Sequence, residues 1–403
     1  MNLRARYRRL PGLWAMLLLA ASASSAAQPP PAPADPYADP APAPARSAPA
    51  WQRLELGAKG HRYAFPVYAS QRLNAPGALR KVQRLVIVLH DERREAERSL
   101  EAITALYAGQ AEHDADTLVI APRFPGLVDA GFGSMPAWRR TGWMEGQPSA
   151  AAQGRPAPVG AFQVIDDLLR ELTAPGRLPA LHAIVVAGHG AGAQMAQRYA
   201  VLNPLDESLR ATGLALSYVV ANAESYLYLS PERPNRNGRG YTRYERGICP
   251  TYDQYRYGLE SMPAALDAYQ GKLDHARLAA RYAQRRVVYL MGGADNNPEY
   301  PGLDKGCGAE AQGATPLARG LGYWGYEIRT PPHGAPAARA GGAARPSHQG
   351  FIAMGAGHSE TDLYASACGA QALLGDGDWA VGAACKALPT GEPPARPNGK
   401  ARQ

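Results

Sequence analysis

Three glycines at alternate positions, Gly188, Gly190 and Gly192, interrupt the run VVAGHGAGAQMAQRYA. A β-branched stretch leads into them and a helix-like stretch leaves them, the pattern of a tight strand–turn–helix corner. Where the middle residue of such a corner is serine, the turn exposes its hydroxyl as a nucleophile for acyl transfer. The N–H of the following residue then faces the oxyanion that forms. Here the middle residue is Gly190, which suits the backbone of the turn but carries no hydroxyl. The same chemistry needs an acid and then a histidine, each in a loop after a later strand. Asp295 follows VVYLMGGA and His358 follows FIAMGAG, in the required order. Gly190, Asp295 and His358 are therefore the candidate catalytic positions, with Gly190 a degenerate nucleophile position.

Other readings of these residues compete. Gly188, Gly190 and Ala193 also satisfy G-x-G-x-x-[GA], the dinucleotide fingerprint. That motif needs an acid at the end of the next strand. Asp206 sits in a loop-like NPLDES and Glu224 is too far along, so nucleotide binding at the GHGAGA corner is the weaker alternative. His189 reads as a packing residue beside the corner. Ser359 adjoins His358, but its side chain is expected to point away along the loop. The four cysteines lie far from any C-x-x-C metal spacing, and the sequence implies neither metal nor cofactor.

These residues need a scaffold. Short continuous apolar runs read as strands buried on both faces: Leu85–Leu89, Leu118–Ala121, Ala183–Ala187, Leu216–Val220, Val287–Met291 and Phe351–Met354. Segments of helical period separate most of them, over Arg94–Tyr107, Phe162–Leu172, Ala193–Leu202 and Thr361–Leu374. Alternating strands and helices predict an α/β fold with a mostly parallel central sheet flanked by helices. Between two of the strands, about 222–285, lies a long tyrosine-dense stretch, read as a cap insertion. Its tyrosines, Tyr226 and Tyr228 among them, offer flat apolar faces with polar tips for binding substrate.

The chain resembles the secreted α/β-hydrolases related to serine esterases and lipases. The likeness spans most of Leu85 to Gly375. It rests on VLH (88–90), IAPRF (120–124), WRRTGW (138–143), VVAGHGAGAQMAQRYA (185–200), YLMGGAD (289–295) and GAGHS (355–359). It implies the α/β-hydrolase fold, with Asp295 as triad acid and His358 as triad base. Ala191 would supply one oxyanion N–H, and the loop after His90 the other, at Asp91 or Glu92. The sequence departs from the family twice. Gly190 replaces the serine, and Asp91 stands where the family has the glycine of an H-G pair. An inward carboxylate at Asp91 would oppose an oxyanion, whereas one capping a helix near Arg93 or Arg94 would be harmless.

The ends of the chain read differently. Four arginines, the apolar run LWAMLLLAA and small residues to Ala27 predict a secretory signal peptide over 1–27. An uncleaved N-terminal anchor is the alternative. A Pro/Ala-rich linker covers 28–50, the domain 51–387, and a polar, Pro-rich, disordered tail 388–403. Removing the signal leaves a formal charge of +4 from +8, because it holds four arginines and no acids. The remaining basic residues are scattered, which excludes nucleic-acid binding. An exported chain with four cysteines predicts two disulfides out of three possible pairings. Cys249–Cys307 and Cys368–Cys385 are favoured over other pairings and over buried free thiols.

The sequence thus predicts a secreted or periplasmic protein with no stable membrane insertion after signal cleavage. Its partner is a small-molecule or polymer ester-like ligand. Two functions stay open beside nucleotide binding: a ligand-binding or catalytically impaired pseudoenzyme, and a weak or non-covalent ester hydrolase that uses His358 as general base on water.

Overall fold

The computed structural model describes residues 50–75, 77, 79–108, 115–235, 240–329, 347–375 and 382–389. The expected signal peptide, nearly all of the linker and residues 390–403 lie outside them.

The strands are β1 (Gln52–Leu56), β2 (Tyr63–Ala69), β3 (Arg84–Leu89), β4 (Thr117–Pro122), β5 (Ala183–His189), β6 (Ala215–Ala221), β7 (Glu232–Pro234), β8 (Tyr241–Arg243), β9 (Arg286–Gly292), β10 (His348–Ala353) and β11 (Cys385–Ala387). The helices used below are α1 (Ala96–Thr104), α2 (Ala161–Leu172), α3 (Ala191–Leu202), α4 (Asp206–Ala211), α5 (Ala264–Tyr269), α6 (His275–Ala283), α7 (Cys307–Glu310), α8 (Pro316–Arg329), α9 (Glu360–Ala365) and α10 (Ala367–Leu374). Nine strands form one sheet in the order β1-β2-β4-β3-β5-β6-β9-β10-β11. From β4 to β10 every neighbouring pair is parallel, and antiparallel β1, β2 and β11 finish the edges. A separate hairpin pairs β7 with β8.

The apolar runs became the inner strands because both of their faces are covered. Leu85, Ile87 and Leu89 of β3 belong to one core with Leu168 of α2 and Met195 of α3. Val86 and Val88 point the other way, into a second core with Leu100 of α1 and Leu363 of α9. That alternation is the two-residue period of a strand, with apolar partners on both sides of the sheet. The 361–374 segment is two helices instead of one. Ser366 breaks it, and its hydroxyl caps α10 by accepting from Gly369 N at 3.0 Å. At the C-terminal boundary the chain stays bound beyond residue 387. Leu388 N donates to Gly350 O at 2.8 Å, and Trp324 Nε1 donates to Pro389 O at 2.9 Å.

The tyrosine-dense insertion packs down instead of standing free. Tyr226 and Tyr228 are 1% and 0% exposed; Tyr226 stacks on Tyr323 of α8, and Tyr228 packs edge-on against Tyr323 and tilted against Tyr326. Both rings are thus packed inside the protein, away from its surface. Large aromatic surface is stabilised more by burial against other rings than by presentation to water. α6 packs on α3, and Arg281 donates to the last carbonyls of α3, at Val201 and Leu202.

Two disulfides form, Cys249–Cys307 and Cys368–Cys385, with Cα separations of 5.8 and 5.3 Å. The first ties the insertion to α7 across 58 positions. Replacing Cys249 and Cys307 with serine is expected to lower unfolding stability by about 4 kcal/mol, on the loop-closure entropy of the unfolded chain. Denaturant midpoints of native and variant protein measure this.

Candidate functional site

The parallel strands all deliver their C-terminal loops to the same edge of the sheet, where ligands bind in open α/β folds. The loops after β3, β5 and β6 meet at Gly190, and the loops after β9 and β10 approach through His358, whose ring lies 4.8 Å from that of the adjacent His189.

Gly190 follows β5 and precedes α3 with φ +54° and ψ −116°. This is a region that L side chains rarely adopt, and it sharpens the turn. Gly190 N donates to Ala221 O at 3.1 Å, and its own carbonyl accepts the first helical bond of α3 from Gln194 N at 3.1 Å. The flanking glycines are set by close approach. A Cβ on Gly188 would lie 2.2 Å from the Gly192 carbonyl carbon, and one on Gly192 would lie 2.0 Å from Leu89 O. The alternating glycines are thus the condition for β5, α3 and the end of β3 to touch.

Asp91 follows β3, and its carboxylate points inward. Asp91 Oδ1 accepts from Ala191 N at 2.9 Å. The same oxygen lies 2.6 Å from the point where a Cβ on Gly190 would sit. Asp91 therefore contributes a carboxylate that occupies the Ala191 N–H. The helix-capping alternative does not hold, because α1 begins later, with Glu95 at its N-cap.

The loop that presents Asp91 is rigidly held. His90 is fully buried, and its Nε2 accepts from Phe124 N at 3.1 Å. Its Nδ1 therefore carries the proton and donates to Asp91 O at 2.8 Å. Burial holds the His90 pKa down at about 4, so the ring stays neutral. Arg94 anchors the far side of the loop with bonds to the carbonyls of Phe124, Trp138 and Arg140. Trp138 and Trp143 are buried supports, and Trp143 packs 4.4 Å from the His90 ring.

Asp295 and His358 come together from the loops after β9 and β10. His358 Nδ1 lies 2.8 Å from Asp295 Oδ2, and Asp295 is 3% exposed. Since the carboxylate accepts, Nδ1 carries the proton and Nε2 of the neutral ring presents a lone pair. Nε2 is buried without a protein partner and lies 4.0 Å from Glu224 Oε1. His189 packs behind it, ring centroids 4.8 Å apart. Burial holds the His189 pKa well below the ordinary value. Ser359 faces away, its hydroxyl capping α9 by accepting from Asp362 N.

Three site residues, Asn222, Glu224 and Tyr300, escape a reading of the sequence. Asn222, at the end of β6, adopts φ +47°. Its Oδ1 accepts from Gly292 N at 2.7 Å and its Nδ2 donates to Gly357 O at 2.9 Å. One side chain thus clamps the acid loop to the histidine loop. Glu224 is buried beside His358, and its pKa is pushed up to about 9. Desolvation is the main cause, followed by the charges of Asp91, Glu92 and Asp304. The Tyr300 ring lies 4.2 Å from the His358 ring, and Glu92 stands at the exposed mouth. Asparagine and acids in polar loops carry no periodic signal. The nearest clue was the run AESY, directly after a strand that ends at the site.

A groove of about 830 Å³ lies elsewhere, lined by Tyr63, Pro158, Gln163 and Arg170 among others, and no candidate site residue borders it. Among the described residues no cluster of three His, Cys, Asp or Glu is arranged to hold a metal, and no helix is long and apolar enough to cross a membrane.

No protein-family model matches the chain, and no curated protein does. Solved structures do. The chain is similar to LpqC, a poly(3-hydroxybutyrate) depolymerase from Bordetella parapertussis, at 17% identity and TM-score 0.52, over 80% of this chain and 90% of that one. It is also similar to poly(aspartic acid) hydrolase-1 from Sphingomonas sp. KT-1, at 20% identity and TM-score 0.48, over 78% and 96%. The S-formylglutathione hydrolase from Agrobacterium tumefaciens matches at 12% identity and TM-score 0.40, over 80% and 90%. Likeness at this level of identity is likeness of architecture, and it agrees with the strand order and the loop positions above: the chain has the α/β-hydrolase fold.

Proposed function

We propose that this chain is an exported relative of the serine esterases that has lost the covalent route to ester hydrolysis and serves as a ligand-binding, catalytically impaired protein. One observation carries the reading. The corner that would lift a nucleophile holds Gly190, and the Asp91 carboxylate sits on the Ala191 N–H in the space a side chain at Gly190 would enter. No hydroxyl attacks there, and the N–H that would stabilise an oxyanion already serves an anion. The N-terminal sequence and the two disulfides support export to an oxidising compartment. The ligand is ester-like, a small molecule or a polymer.

Native protein incubated with a fluorophosphonate probe is expected to show no adduct by intact mass, and no turnover of p-nitrophenyl butyrate above buffer. An adduct on a serine of the crevice would overturn the reading. The intact Asp295–His358 pair favours a second reading, in which His358 acts as general base on water. It is distinguished by hydrolysis without labelling, abolished by His358→Ala.

A further inference from the structure

The N–H after a nucleophile corner ordinarily attracts a negative oxygen. In this chain the negative oxygen is built in, as Asp91 Oδ1 on Ala191 N. The other groups that converge on the crevice are mostly acceptors. Glu92 Oε1 and Glu224 Oε1 lie 3.2 and 3.6 Å from a single point, the place of a Cβ on Gly302, and Tyr300 Cε1 lies 3.0 Å from the same point. The Tyr300 ring in turn packs on His358. The His358 side chain is 7% exposed, and its Nε2 has no hydrogen-bond partner among the described residues, with Glu224 Oε1 4.0 Å away. The cations whose fields reach these carboxyls are Arg93, Arg319 and, when its ring is protonated, His358. Arg319 donates to the carbonyls of Gly313 and Glu224, and Arg93 is exposed. The loss of the serine has therefore reversed the electrostatic sense of the corner, from a site for a developing anion to a site that demands donors and positive charge.

We infer that the crevice binds an organic cation, an ammonium or guanidinium group, with Asp91, Glu92, Glu224 and His358 Nε2 as acceptors and the Tyr300 ring as an apolar wall. The inference rests on the ligand-binding reading above and supplies its ligand class. An ammonium brings three donors and a guanidinium five, matching a lining of carboxyls and one imidazole lone pair. Burial and neighbouring carboxylates keep Glu224 protonated in the free protein, and a bound cation relieves that repulsion. The Tyr300 face adds a favourable cation–π contact.

Calorimetric titration of the mature protein at neutral pH and low ionic strength tests this, with n-butylammonium, n-butylguanidinium, butyrate and methyl butyrate as probes. The two cations are expected to bind at least about tenfold more tightly than butyrate or the neutral ester. Asp91→Asn is expected to weaken cation binding by about tenfold or more. Glu92→Gln, at an exposed position, is expected to weaken it as well. Equal or tighter binding of butyrate or methyl butyrate overturns the cation inference and leaves the ligand-binding reading standing. Cation affinity unchanged in both variants also overturns it. Binding of none of the four overturns the inference and counts against ligand binding. The loss of the covalent route is judged separately, by probe labelling.

Discussion

The double variant Asp91→Gly/Gly190→Ser is expected to label with a fluorophosphonate and to hydrolyse p-nitrophenyl esters, whereas Gly190→Ser alone stays nearly inert. The backbone at Gly190 already has the turn geometry, and the Asp295–His358 pair is assembled beside it. Restoring the hydroxyl is not sufficient, because its Cβ would enter within 2.6 Å of Asp91 Oδ1. The Asp91 side chain then has to rotate off the Ala191 N–H. Even displaced, its charge stays near the place where the oxyanion forms. Two like charges 4 Å apart repel by roughly 4 kcal/mol at an effective dielectric of 20, about three powers of ten in rate. Replacing Asp91 with glycine removes the charge and frees the N–H. In a model serine protease the nucleophile is worth about 10⁶ in kcat, so recovery of even a thousandth of that is measurable. Intact mass after probe treatment and kcat/KM on the butyrate ester are the readouts. If the single variant is as active as the double, Asp91 does not guard the corner.

The second large effect concerns stability. Glu224→Gln is expected to stabilise the protein at alkaline pH and to change little at acid pH. Glu224 is held up to about 9 in the folded chain, against 4.5 for the free side chain. A carboxyl raised in this way contributes stability that is present below the unfolded pKa and lost as pH rises through the folded one. Each pH unit inside the window costs about 1.4 kcal/mol, so the native protein loses on the order of 4 kcal/mol through this group between about pH 5 and pH 8. Glutamine keeps the shape and has no proton to lose. Asp166 and Glu360, raised to about 6 and 7 by burial, act in the same direction. His90, depressed to about 4, acts oppositely and loses its contribution as pH falls from 6.5. These groups are common to both proteins, so the difference between variant and native midpoints across pH isolates Glu224. A difference that does not grow with pH contradicts the assignment.

Much of the scaffold was legible in the sequence for a physical reason. Strands buried on both faces carry continuous apolar runs, such as LVIVL in β3 and AIVVA in β5. The edge strands were not legible. β1 reads QRLEL, β2 contains Pro66, and β11 is three residues long, so none carries a continuous run. The order of Gly190, Asp295 and His358 could be read because each lies in the loop after a recognisable strand. The direction of Asp91 was not, since one rotamer separates a carboxylate on Ala191 N from one in solvent. The burial of the tyrosines was not legible, because composition reports aromatic content and says nothing of which face is covered, and Tyr226 and Tyr228 are covered by α8. Asn222 gave no signal, because its function lies in two hydrogen bonds to backbone distant in the chain.

The overlap between the Asp91 carboxylate and the space above Gly190 also constrains descent. A chain with a side chain at the corner and an inward carboxylate at the preceding loop is over-filled, and a chain with neither leaves the Ala191 N–H open. In an aligned set of relatives the two positions should therefore change together, serine with glycine in one group and glycine with aspartate in the other.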